Sequence, residues 1–85
     1  MLDLKVVNTT RYDWLIAVEL RLRQSRQFTP AMREQLRTHD DVLRVIPGNN
    51  PTKVFVLTSV ADFAENNNSR ADFVNELGGL AAAAA

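Results

Sequence analysis

Cysteine is absent from the 85 residues, and histidine occurs once, as His39. The first absence excludes a disulfide framework, a thiolate metal site and a thiol nucleophile. The second leaves too few imidazoles for a histidine-based metal centre, and Ser25, Ser59 and Ser69 have no second histidine to activate them. Net charge is zero, from 10 basic and 10 acidic side chains, so bulk attraction to nucleic acid has no source in the overall balance. No apolar run approaches the roughly 18 residues of a spanning helix. The opening MLDLKVV has neither the basic region nor the apolar stretch of a signal peptide. Together these point to a cytoplasmic protein with no membrane association.

What is present is a chain with 46% hydrophobic residues, composed like a globular domain and near the small end of what buries an adequate core. One small domain over residues 1–79 is expected, followed by an alanine-rich tail, 80–85. The central stretch is Val42 to Phe63, VLRVIPGNNPTKVFVLTSVADF. Val42, Leu43, Val45 and Ile46 form one apolar run, Pro47-Gly48-Asn49-Asn50-Pro51 is a dense turn cluster, and Val54 to Leu57 is rich in β-branched and aromatic residues. This predicts a hairpin.

Upstream, Leu2, Leu4 and Val6 alternate with Asp3 and Lys5, the pattern of a strand with one buried face, and Asn8 to Arg11 supplies turn residues. In Tyr12–Gln24, Trp14, Ile16, Val18, Leu20 and Leu22 are all apolar at strict two-residue spacing, and Asp13, Glu19, Arg21 and Arg23 fall on the opposite face. Wound as a helix, those apolar groups would spread round the cylinder, so a strand is favoured. It would pair Leu2, Leu4 and Val6 with Val18, Ile16 and Trp14 across a loop at Thr9-Thr10-Arg11. The alternative is a helix over Tyr12–Gln24 with Thr10 as its N-cap. Thr29-Pro30 opens a short helix to about Thr38, burying Met32 and Leu36 with help from Phe28, while Arg33, Glu34 and Arg37 stay wet.

Beyond the hairpin, SVADF (59–63) and SRADF (69–73) both look like capping boxes, separated by Asn66-Asn67-Asn68. Ten residues turn a continuous helix through about 280°, so burying both Phe63 and Phe73 needs a break at the asparagines. Gly78-Gly79 reads as a left-handed C-cap, with the alanines beyond it frayed. The fold class expected is therefore α+β: a two-layer ββαββα domain with a mainly antiparallel four-stranded sheet and helices on one face. The alternative is βααββα, with Tyr12–Gln24 helical. Up to the fourth strand this order is similar to the ubiquitin-like β-grasp, an analogy of order that carries no function.

Charge is unevenly spread. A basic region comprises Arg21, Arg23, Arg26, Arg33 and Arg37, and an acidic one comprises Asp62, Glu65, Asp72 and Glu76. Arginine suits carboxylate and phosphate alike because its planar fork binds two oxygens. His39 beside Asp40 and Asp41 reads as a polar helix end rather than a proton-transfer or metal cluster, and the PGNNP turn lacks the glycines and lysine of a phosphate loop. No catalytic residue, cofactor or metal is expected.

KVFVLTSVADF (53–63), a strand running through Thr-Ser-Val into a helix, resembles the corresponding stretch of the small head–tail joining proteins of tailed phages. The likeness covers roughly a dozen residues, and the basic C-terminal end of that family is not matched by Leu80 to Ala85. It implies a minor virion component. The expected function is a non-enzymatic protein–protein interaction or assembly subunit of a larger homo- or hetero-oligomer, with small opposite-charge regions that allow head-to-tail association. The alternative is a small nucleic-acid-binding regulator that places the arginine cluster on phosphates.

Overall fold

The computed structural model describes residues 3–85, so Leu2 lies outside the described residues. Four strands form one antiparallel sheet in the order β1-β2-β4-β3: β1 (Leu4–Tyr12), β2 (Leu15–Leu22), β3 (Arg44–Pro47) and β4 (Lys53–Thr58). Three helices accompany it: α1 (Pro30–Leu36), α2 (Asp62–Glu65) and α3 (Asn67–Ala82). This is the ββαββα arrangement, with a break in the last helical segment. Tyr12–Gln24 is a strand, not a helix, because only an extended chain puts Ile16, Val18, Leu20 and Leu22 on one side; all four are buried.

The first hairpin is longer than expected. Asn8 to Arg11 continue β1, and the chain reverses at Asp13-Trp14, with Asp13 at φ 59°, a conformation aspartate tolerates in a tight turn. Leu4 accordingly pairs with Leu22 and Val6 with Leu20, further along β2 than the expected partners. A bulge between Val6 and Asn8 shifts the register. Trp14 sits at the tip, 65% exposed, not on the buried face.

The other helix starts show how local signals compete. Thr29 caps α1 as expected, its Oγ1 accepting from the Met32 N–H at 3.1 Å. Arg33 is half-buried, not wet, because its guanidinium donates to the Phe28 carbonyl at 3.0 Å. Ser59 does not cap α2; the buried Thr58 accepts from the Val60 N–H at 3.2 Å, and Asp62 instead receives the Ser69 hydroxyl at 2.5 Å. Nor does Ser69 open the second piece. Asn66 does, its side chain accepting from the N–H groups of Asn68 (2.9 Å) and Ser69 (3.1 Å), so the helix begins earlier. Arg70 bridges the break by donating to the Phe63 carbonyl at 2.9 Å. The break has the expected consequence: Phe63 and Phe73 are both buried and stack with centroids 4.3 Å apart.

Gly78 and Gly79 do not end α3, and neither takes a positive φ. The helix runs through them to Ala82, and Ala81 is fully buried in the core. Tertiary contact along the buried side of α3 replaces the C-cap that the glycines offered locally. β3 is likewise shorter than its apolar run, and only Val45 within it is buried.

Candidate interaction surface

Every buried sheet residue lies on the helix-covered side. The opposite side follows from the period of the strands and the observed register. Its rows run across the strands: Tyr12 beside Leu15 at one end, then Thr10, Ala17, Leu57 and Arg44, then Asn8, Glu19, Phe55 and Ile46, and finally Lys5, Arg21 and Lys53. No helix among the described residues covers this side. Tyr12 is 60% exposed and Ile46 39%, and Ala17, Phe55 and Leu57 are half-buried. The face thus has an aromatic end, an apolar middle and a cationic end.

The cationic end is built against local electrostatics. Lys5 pairs across strands with Arg21, and Arg21 with Lys53, two successive like-charge pairs. Such neighbours sit about 5 Å apart and destabilise a sheet by roughly 0.2–1 kcal/mol each. Glu19 relieves one of them, lying 3.3 Å from Lys53. Arg23 follows just beyond β2, where the chain turns a corner at Gln24 with φ 61°. Arg21 and Arg23 line a depression of about 540 Å³ with Gln27, Asn50 and Thr52. The floor is held by the second hairpin, in which Asn50 Oδ1 accepts from the Thr52 N–H at 3.0 Å and from its hydroxyl at 2.9 Å.

The arginines grouped by sequence are therefore divided. Arg21 and Arg23 lie at the cationic end of the open face, and Arg26 follows, exposed, past the turn. Arg33 and Arg37 belong to α1 on the helix side, where Arg33 holds the Phe28 carbonyl and Arg37 pairs with Glu34. The acidic residues are all exposed on α2 and α3, but most are engaged: Glu65 with Arg11 at 2.7 Å, Glu76 with His39 at 2.8 Å, Asp62 with Ser69. Asp72 makes no ion pair among the described residues. Sequence reasoning missed Lys5, Lys53, Arg44, Phe55, Leu57 and Ile46 as members of one surface. The signal was available in the shared parity of Lys53, Phe55 and Leu57, but joining them to Lys5 and Arg21 needs the register.

His39 is structural in its contacts. The Asp41 N–H donates to Nδ1 at 3.1 Å, which makes Nδ1 the acceptor and leaves Nε2–H to donate to Glu76. The ring meets the edge of Phe73 at 5.0 Å and 87°. An open depression of about 690 Å³ lies beside it, between the α1–β3 loop and α3. Among the described residues no group of three or more His, Cys, Asp or Glu side chains is arranged to hold a metal ion, and no helix is long and apolar enough to cross a membrane.

Comparison with family models, with curated proteins and with solved structures gave no match for this chain.

The neutral total conceals a division between the two layers. The sheet and its connecting loops (3–28 and 44–58) carry seven cations and three carboxylates, and the helix-bearing segments (29–43 and 59–85) carry three cations and seven carboxylates. The surplus is four charges of opposite sign on each layer.

Proposed function

We propose that this chain is a non-enzymatic protein-interaction module, a subunit of a larger assembly, and that it works through the uncovered face of its sheet. The observation that carries this is the apolar middle of that face, Ala17, Leu57, Phe55 and Ile46, left facing solvent in a domain with three helices on the other side. A contiguous apolar patch rimmed by charge is the form a protein contact takes. The resemblance of Lys53 to Phe63 to phage head–tail joining proteins is in keeping with a minor virion component. The test is light scattering after size exclusion, at rising concentration, on the wild type and on Phe55→Thr/Leu57→Thr, which keeps strand propensity while removing apolar surface. The wild type should exceed its 9.5 kDa monomer mass, and the variant, folded by circular dichroism, should return to it. A wild type that stays monomeric throughout, or a variant that associates unchanged, overturns the reading.

A second reading is favoured by one observation, the row Lys5, Arg21 and Lys53 with Arg23 beside it: phosphates of a single-stranded nucleic acid would neutralise the like-charge neighbours. Anisotropy of a labelled oligonucleotide should then rise with wild type at low salt and not with Arg21→Glu/Arg23→Glu. Absence of wild-type binding in low salt disposes of it.

A further inference from the structure

We infer that the partner of the open sheet face is a second copy of this chain, docked head to tail, so that the sheet face of one copy lies on the helix layer of the next. The inference rests on the preceding reading of the sheet face as the contact surface, and adds which surface it meets.

The argument is one of charge complementarity. The open face ends in Lys5, Arg21 and Lys53, with Arg44 on the neighbouring edge strand, against Glu19 alone. A sheet-to-sheet dimer would offer these cations no carboxylate beyond Glu19. The surface of opposite sign is on the same molecule, across the domain: Asp62 and Glu65 on α2, and Asp72 and Glu76 one turn apart on α3, are all exposed, with Arg70 half-buried among them, Arg11 paired with Glu65 and His39 with Glu76. Because the helices lie entirely on one side of the sheet, the basic and acidic surfaces face in opposite directions and cannot meet within one molecule. They can meet between two. The zero net charge removes the long-range repulsion that would keep copies apart.

The steric side agrees. Asn68, Asp72, Asn75 and Gly79 lie on the outward side of α3, opposite buried Phe73, Leu77 and Ala81, so nothing bulky stands between that ridge and a flat sheet. The like-charge row costs the isolated domain stability, and an acidic surface laid over it would remove that cost. Since the two surfaces differ, the contact is heterologous, and repeating it gives a ring if the rotation closes and an open filament if it does not.

Charge exchange tests this. Lys5→Glu/Arg21→Glu reverses the sheet face, and Asp72→Lys/Glu76→Lys reverses the helix face. Each variant, folded by circular dichroism, should be shifted to monomer in light scattering at low salt, through sheet and helix faces of like sign. An equimolar mixture should restore an alternating oligomer, since every contact in it again joins opposite charges. High salt should weaken the wild-type and mixed assemblies alike. A mixture that stays monomeric overturns the inference. So does a wild type that assembles but ignores the helix-face variant, although the sheet-face reading then survives; a wild type that is monomeric at every concentration overturns both. A short single-stranded oligonucleotide that binds through Arg21 and leaves the wild-type assembly intact would assign the cationic row to phosphate and likewise overturn self-docking.

Discussion

The two faces of the sheet are made from the same strands, in alternate residues, and they have different fates. In β2, Ile16, Val18, Leu20 and Leu22 are buried under the helices, while Leu15, Ala17, Glu19 and Arg21 face the other way. In β4, Val54, Val56 and Thr58 are fully covered, while Lys53, Phe55 and Leu57 are not. The covered side obeys every rule of a stable core: apolar, continuous, and with its one buried polar group, Thr58, hydrogen-bonded to the chain that follows. The uncovered side breaks two rules at once, leaving apolar surface in water and lining up like charges. A face that stability alone does not account for is where function is to be sought.

That contrast can be broken by substitution. Phe73→Ala should have the largest effect, about 3–5 kcal/mol lost in urea unfolding, because the ring is buried and in contact with both Phe63 and His39. Leu20→Ala on the covered side should cost about 2–5 kcal/mol. Leu57→Ala, one strand over on the other face, should cost well under that range, since its half-exposed side chain leaves no closed cavity; equal losses would mean that the two faces are not distinct in energy. Asn66→Ala should lower stability by about 1 kcal/mol by removing the acceptor of two helix-start N–H groups. The smallest effect has the opposite sign. Lys5→Glu replaces a like-charge neighbour of Arg21 with an opposite one and should raise monomer stability by a few tenths of a kcal/mol to about 1 kcal/mol at low salt, fading as salt is added.

A sixteen-residue α3 that runs through two adjacent glycines shows the same competition between local and tertiary terms. Gly79 has nothing within 4 Å of the position a Cβ would take, so nothing in the folded chain requires it to be glycine. Ala81, two residues on, is fully buried, a contact that favours helix beyond the glycines.

By itself the sequence determined the alternation of β2 and β4, the Thr29-Pro30 helix start, the hairpin at Pro47 to Pro51 and the need for a break between Phe63 and Phe73. These are local periods and local hydrogen bonds, legible because a residue and its neighbours along the chain suffice to satisfy them. The tertiary structure alone decided that β1 extends to Tyr12, that Asn66 and not Ser69 begins α3, and that the alanine tail joins the core. It alone divided the arginines between two layers and aligned Lys5, Arg21 and Lys53, residues distant in the chain, in one row. The physical reason is that register and the choice of covered face depend on the summed burial of all strands and helices together, and no segment carries that sum within itself.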